Sequence, residues 1–159
     1  GTTVREIIYN LAGGIQHDRE IQLIQFGGAS GKIADASILD TPYTYDDLRN
    51  AGVMVGSGGL LVIDERTSVI DFLRMNQEFF SEESCGQCTP CREGNLHIKI
   101  ILDKIANHTA TQEDIRIMAT IARVMSMSSL CGLGETAQNT LQSAMLTFPE
   151  VFEVGGTES

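Results

Sequence analysis

The sequence contains no apolar run long enough to span a membrane. Its longest apolar window, VMVGSGGLLVI, is interrupted by glycines and is typical of a strand. The first residues, GTTVREIIYN, include no Met, no basic region and no signal-peptide core, so we expect a piece of a longer chain that is not secreted. These absences predict a cytoplasmic protein without membrane insertion, peripheral to a membrane only as part of a complex.

Positive charge is scarce. The 159 residues include 11 Lys and Arg against 21 Asp and Glu, which gives a formal net charge of −10. Such a chain repels phosphate backbones and anionic lipid surfaces, so nucleic-acid binding and docking on acidic membranes are both disfavoured. Hydrophobic residues make up 42%, which is enough for a packed core and argues against wholesale disorder.

Catalytic patterns are also absent. No Ser/His/Asp or Cys/His set emerges, and the only histidines are His17, His97 and His108. Two histidines could replace thiolates as in a Rieske centre, but the four cysteines already fill that need. The glycine-rich stretches GGASGK and GSGG lack the spacing of phosphate-binding loops, so we interpret both as turns.

The first part of the chain, residues 1–66, has a mixed pattern. Thr3 and Glu6 have capping-box spacing. The apolar face of the helix that follows is predicted to contain Val4, Ile7, Ile8 and Leu11. The segment EIQLIQFGG predicts a strand, and VMVGSGGLLVIDE predicts two strands around a glycine turn. A short strand in ASGKIADASILD and a short helix in TPYTYDDLRNAG complete an α+β region.

Residues 67–159 have the periodicity of four helices around a cysteine-rich loop. Thr111 and Asp114 have capping-box spacing at the start of the third helix. The fourth helix is predicted to follow Cys131 without interruption and to end near Pro149. Only the tail GGTES has the composition of a disordered segment.

The strongest signal is the stretch SCGQCTPCREG, in which two residues separate each of Cys85, Cys88 and Cys91 from the next. A fourth, Cys131, lies in SLCGLGE. A four-iron, four-sulfur cube needs one thiolate for each iron, and a loop of this spacing can supply three of them. We expect Cys91 and Cys131 to precede helices, whose N-termini favour thiolates. Pro90 is expected to stiffen the loop and keep Thr89 extended, while Gly86 and Gly132 allow close backbone approach.

Two other interpretations of the cysteines stay open at this point. A structural zinc site with four cysteine ligands is the main alternative, although such sites usually have two separated C-x-x-C pairs. Disulfides are disfavoured because cytosolic thiols stay reduced. Arg92 and Glu93 either place a cation beside the cluster or form a surface ion pair. A fully ligated cluster leaves no open site for substrate, so the prediction is an electron relay.

The cysteine motif and the segment SLCGLGETAQNTLQSAMLTFPEVFE resemble the NADH-binding flavoprotein subunit of respiratory complex I and related subunits of NAD(P)-reducing hydrogenases and formate dehydrogenases. The resemblance implies that Cys85, Cys88, Cys91 and Cys131 hold a [4Fe-4S] cluster in a C-terminal helical bundle. GTTVREIIYNLAGG, GGASGK and GSGGLLVID look like the ubiquitin-like β-grasp module that precedes the bundle. The implied organisation is a partial β-grasp module over residues 1–66 and a four-helix iron-sulfur domain over residues 67–159.

The flavin and NADH domain of that family lies upstream of the matching region, and this chain contains nothing like it. The resemblance therefore implies a part of an NAD(P)H dehydrogenase that relays single electrons from flavin to iron-sulfur centres of a partner subunit. FMN and NAD(P)H would bind only in the upstream domain, so this chain alone should not oxidise NADH. The family's β-grasp module begins with strands before the first helix, so we expect an unpaired sheet edge that favours homodimerisation. The alternative function is a ligand- or partner-binding module with a structural zinc bound by the four cysteines.

Overall fold

The computed structural model describes residues 1–154, which form two compact units, Gly1–Ser68 and a helical unit that begins at Val69. The first unit contains an antiparallel sheet with short helices, and the described part of the second contains helices. The predicted α+β class is therefore confirmed. The assignment of residues 1–66 and 67–159 to separate domains stays a prediction.

The sheet of the first unit has three strands in the order β2-β1-β3. The strands are β1 (Ile21–Phe26), β2 (Lys32–Ala34) and β3 (Leu60–Asp64). Both neighbours run antiparallel to β1, so that Phe26 lies opposite Lys32 on one side and Leu60 on the other. The last four residues of β1 are all buried, which shows that the central strand is covered on both faces.

The two glycine-rich loops meet at the end of β1. Gly27 and Gly56 both have positive φ, at 85° and 52°, and a Cβ on Gly56 would lie only 2.7 Å from the Cα of Gly27. The Gly27 N–H donates to the carbonyl of Gly59 at 2.9 Å. The loops are therefore turns, as predicted, and their glycines permit a backbone approach that a side chain would block.

The first helical segment begins with the predicted reciprocal cap. The Thr3 N–H donates to Glu6 Oε2 at 2.8 Å, and the Glu6 N–H donates to Thr3 Oγ1 at 3.2 Å. The segment Glu6–Leu11 is a π-helix. Val4 and Ile8 are buried, but the prediction that Leu11 shares their face is wrong, since Leu11 is 76% exposed. The wider i→i+5 turn changes the angular spacing and rotates Leu11 towards solvent.

The prediction of a strand before the GSGG turn is also wrong. The segment instead follows the end of helix α1 (Tyr45–Asn50), whose C-cap is Ala51. The Val53 N–H donates to the Leu48 carbonyl at 3.0 Å, and Gly52 adopts a φ of 86° that reverses the chain. The Val53 N–H is therefore already committed to the end of the helix, and its buried side chain belongs to the core of this unit.

Five helices and a closing 3₁₀ turn build the described part of the second unit. They are α2 (Val69–Glu83), α3 (Thr89–Ala106), α4 (Gln112–Ser128), α5 (Gly132–Thr136), α6 (Asn139–Thr147) and the turn Pro149–Phe152. The single fourth helix predicted after Cys131 is in fact two short helices, separated at Ala137 and Gln138. Ala137 and Gln138 are themselves good helix formers, so intrinsic propensity does not account for the break. The GGTES tail lies outside the described residues.

Polar contacts fix the junction between α3 and α4. Thr111 and Asp114 form the predicted capping box at the start of α4. Lys104 of α3 donates to the same carboxylate at 2.6 Å. The Lys104 hydrogen bond, together with the bonds from Thr111, lowers the pKa of Asp114 to about 2.

Among residues 1–154, no helix is both long and apolar enough to cross a membrane.

Candidate metal centre

The four cysteines of the sequence line a single cavity. The widest gap between them along the chain is the 40 residues from Cys91 to Cys131. The cavity has a volume of about 110 Å³. Its lining consists of Glu83, Ser84, Cys85, Gln87, Cys88, Cys91, Cys131 and Leu133. All four thiols are free of disulfides. Every predicted ligand thus contributes to one small space, and no histidine in the described part of the chain lines it.

The end of α2 and the start of α3 position the first three cysteines. Cys85 follows α2, and Cys88 is the N-cap of α3 with extended backbone angles of −99° and 137°. Cys91 lies in the first turn of α3, so the expectation that it precedes the helix is wrong. Thr89 and Pro90 are also helical, and the expectation of an extended Thr89 is corrected. Proline is tolerated there because the first N–H groups of a helix lack intrahelical partners.

Arg92 fixes the loop between Cys85 and Cys88. Its Nη1 donates to the carbonyl of Gly86 at 2.8 Å, and its Nε pairs with the Glu93 carboxylate at 2.9 Å. Gly86 has a φ of 72°, which is the reason for glycine at this position. The ion-pair interpretation of Arg92 and Glu93 therefore agrees with the structure, and the same guanidinium also holds the cysteine loop.

Cys131 is the N-cap of α5, as the sequence predicted. The expectation that Gly132 allows a close backbone approach is wrong, since a Cβ on Gly132 would have no atom within 4 Å. The glycine that permits close packing is Gly134. A Cβ on Gly134 would lie 2.6 Å from Ser129 Cβ and 3.0 Å from Cys91 Cβ. The missing side chain of Gly134 thus lets α5 approach the first turn of α3 and brings Cys131 to the cavity.

The four thiols have different surroundings. Cys91 is buried, Cys88 is half-buried, and Cys85 and Cys131 are exposed. The backbone N–H groups of Leu130 and Cys91 lower the pKa of the Cys88 thiol, which favours the thiolate that binds metal. The buried side chain of Ser129 also lowers the pKa of the Cys88 thiol, though less than the two N–H groups do. One side of the centre is thus enclosed, and the other reaches the surface of this unit.

Three buried amides lie behind Cys91. Asn95 Nδ2 donates to Cys91 Sγ at 3.3 Å, and the Oδ1 of Asn95 accepts from Gln77 Nε2 at 2.6 Å and from Gln138 Nε2 at 3.3 Å. Their exposed fractions are 1%, 3% and 0%. Ser84 Oγ lies 3.2 Å from the same sulfur. The sequence carries one sign of these amides, since Asn95 falls on the same α3 face as Cys91 and Ile98, where a polar residue is unusual.

The residues present fit a four-iron cluster. The donor set consists of four sulfurs, the ligands that such clusters require. A single zinc with Zn–S distances of about 2.3 Å would bring its sulfurs into mutual contact and leave no cavity between them. The observed 110 Å³ is far larger than the ~10–15 Å³ that one water molecule needs. Among residues 1–154, no three His, Cys, Asp or Glu side chains are grouped for a single metal ion.

Comparison with known families matches this region directly. The model of the NADH-ubiquinone oxidoreductase-F iron-sulfur binding region covers residues 71–155, which is more than half of the chain. The chain therefore belongs to this family. The family is an iron-sulfur binding region, and the cofactor it implies is the predicted [4Fe-4S] cluster.

Relatives extend the similarity over almost the whole chain. The NADP-reducing hydrogenase subunit HndC of Solidesulfovibrio fructosivorans is 33% identical over 153 residues, covering 96% of this chain and 31% of that protein. An NADH-quinone oxidoreductase subunit of Mycobacterium bovis is 32% identical over 152 residues, covering 96% of this chain and 34% of that protein. These relatives are subunits of larger enzymes, and this chain spans about a third of their length.

Two solved hydrogenase chains have a similar fold. The NAD⁺-reducing [NiFe]-hydrogenase in its H2-reduced state matches with a TM-score of 0.82 and 25% identity, over 99% of this chain and 27% of that one. The air-oxidised form matches with a TM-score of 0.81 and 27% identity, over 96% and 26%. The fold of this chain is therefore that of one part of the matching hydrogenase chain.

Proposed function

We propose that Cys85, Cys88, Cys91 and Cys131 bind the [4Fe-4S] cluster and that this chain is an electron-transfer module. The observation that carries the proposal is the convergence of all four cysteines on one cavity. When bound, such a cluster accepts and releases one electron at a time. With four thiolate ligands it has no vacant position for a substrate, which favours electron transfer over substrate chemistry.

The cysteines differ in how well they are shielded from solvent. Cys91 is enclosed by Asn95 and Ser84, which present hydrogen-bond donors to its sulfur. Cys85 and Cys131 are exposed, so electrons can enter or leave near the surface of the helical unit. Iron-sulfur potentials depend on hydrogen bonds to sulfur and on solvent exposure, so this asymmetry sets the working potential.

We infer from the relatives that this module works within a larger NAD(P)H-linked oxidoreductase. An upstream domain would bind FMN and NAD(P)H and pass single electrons to the centre, which would deliver them to iron-sulfur centres of a partner subunit. The location would be cytoplasmic, peripheral to a membrane when the parent is a membrane complex. The chain described here would not oxidise NADH by itself. The edge strands β2 and β3 support the further proposal that the isolated chain dimerises through its sheet.

The test is a metal analysis of protein prepared without oxygen. We expect about four irons and four acid-labile sulfides per chain, with an EPR signal after reduction by dithionite. One zinc and no sulfide after anaerobic reconstitution would contradict the proposal and favour the structural zinc alternative.

A ligand variant sharpens the same test. Cys131→Ser is expected to lose the intact four-iron centre, because it removes the sulfur that reaches the cavity from α5. Met127→Ala is the matched control, since Met127 is 79% exposed at the end of α4 and does not line the cavity. Four irons and an unchanged EPR spectrum in Cys131→Ser would show that the fourth ligand has been assigned wrongly.

A further inference from the structure

The hydrogen bonds of the buried amides Gln77, Asn95 and Gln138 fix which atom of each amide donates and which accepts. A thiolate only accepts hydrogen bonds, so the group of Asn95 that faces Cys91 must be its N–H₂ donor. The Oδ1 of Asn95 then points away from the sulfur and needs donors. The Nε2 groups of Gln77 and Gln138 supply them at 2.6 and 3.3 Å. Each orientation therefore requires the next, and the chain of donors ends on the sulfur.

We propose that Asn95 is a positioning residue that raises the reduction potential of the centre, with Gln77 and Gln138 holding its amide in the productive orientation. The inference rests on the proposed function. Reduction adds one electron from a one-electron donor, here dithionite and in the whole enzyme the flavin, and it makes or breaks no bond to Asn95. The added negative charge is shared with the thiolate sulfurs, so a donor to Cys91 stabilises the reduced state more than the oxidised one.

Burial makes this contact effective. Asn95 is 1% exposed and Gln138 is fully buried, so water does not compete for the sulfur from this side. Hydrogen bonds are electrostatically stronger in such surroundings, and linked bonds polarise one another. The exposed Cys85 and Cys131 lack this shielding. Cys91 is therefore the ligand through which buried side chains can adjust the centre most strongly.

The test is a potential measured by EPR-monitored redox titration of the cluster-loaded chain. Asn95→Leu keeps the branching and the number of side-chain heavy atoms, with somewhat bulkier methyl groups, and removes the donor. We expect the ratio of reduced to oxidised centre at a fixed ambient potential to fall about tenfold, a shift of about 59 mV for a one-electron couple. Pulsed EPR before and after exchange into deuterated buffer detects the coupling from the exchangeable proton that faces the sulfur. This coupling should be absent in Asn95→Leu.

Two further variants separate tuning from loosened packing. Gln138→Met removes one donor to Asn95 and also an Oε1 that has no hydrogen-bond partner in the described structure, so folding should be little affected. We expect a smaller shift in the same direction. Ile105→Val is the control, because Ile105 is buried in α3 about 21 Å further along the helix than Cys91. It should lose some thermal stability and keep the wild-type potential.

The outcomes distinguish this inference from the proposed function. Wild-type potentials in both Asn95→Leu and Gln138→Met, with four irons retained, would overturn the tuning role while leaving the iron-sulfur function intact. An equal shift in Ile105→Val would also overturn it, since the effect would then be structural. If Asn95→Leu fails to assemble its centre, Gln138→Met decides the question alone. A wild-type chain with zinc and no sulfide would refute both proposals together.

Discussion

The close approach of α5 to α3 predicts a specific cost for adding one methyl group at Gly134. In Gly134→Ala the new Cβ would lie 2.6 Å from both Cβ and Oγ of Ser129 and 3.0 Å from Cys91 Cβ. Two of these three atoms are Cβ atoms, which are fixed to the backbone and cannot swing aside. The substitution must therefore move either α5 or the turn at Ser129, and it disturbs Cys91 at the same time.

The magnitude follows from two opposing effects. Overpacking a core position by a methyl group costs about 1–3 kcal/mol. Alanine is a better helix former than glycine by about 0.8–1 kcal/mol. Because the clash involves rigid atoms, we expect the upper part of the first range and a net destabilisation of about 1–2 kcal/mol. At about 2–4 °C per kcal/mol, the melting temperature should fall by several degrees.

The assay compares thermal and urea unfolding of Gly134→Ala and Gly132→Ala, both made in α5. Gly132→Ala is the matched control, since its Cβ would have nothing within 4 Å and its backbone has no positive φ. It should be neutral or stabilising by up to about 1 kcal/mol. Gly134→Ala should also retain less iron, because Cys91 is displaced. If the two variants melt together and hold equal iron, the proposed close packing of α5 on Cys91 is incorrect.

Two further predictions concern the contacts of α4. Gly94→Ala should destabilise the helical unit by up to about 2 kcal/mol, because its Cβ would clash with the Sδ of Met125 while alanine improves the helix propensity. Met125 is fully buried, so Met125→Ala is destabilising by itself, but the loss in the double variant should be smaller than the sum of the two single losses in urea unfolding. Asp114→Asn should cost stability at neutral pH, because the folded-state pKa of Asp114 lies near 2, below its ordinary 3.8. That contribution is present above about pH 4 and is lost as the pH falls towards 2. The thermal stabilities of wild type and Asp114→Asn, measured on the metal-free chain, should therefore converge over this window, and a constant difference down to about pH 2 would contradict the Lys104 contact.

Local sequence signals predicted the local structure well. The caps at Thr3 and Thr111 depend on a side chain and a backbone three residues away, so the spacing alone was sufficient. The sequence predicted the segments that form β1, β2 and β3 and the turns of both glycine loops from apolar runs and glycine content, but it did not predict the antiparallel pairing. The C-x-x-C-x-x-C spacing indicated a shared site because it constrains three sulfurs within seven residues.

Features that depend on distant contacts could not be predicted in this way. Whether Cys91 precedes or enters α3 depends on Pro90, which either ends a loop or starts a helix, and sequence cannot decide between them. The interruption of the last helix places Gln138 against Asn95, 43 residues earlier in the chain. The need for glycine at Gly134 also arises only when α5 packs on α3. These are tertiary requirements, and a single sequence carries little sign of them.

The buried amides also determine how the helices align along their length. Gln77 belongs to α2, Asn95 to α3, and Gln138 to the turn before α6, so each amide anchors a different segment of the unit. Sliding one helix by a single turn would move its amide by about 5.4 Å. Each buried polar group left without its partner would then cost about 1–3 kcal/mol. An apolar interface of the same size would tolerate such a slip far better, so these three side chains widen the energy gap between the native alignment and its neighbours.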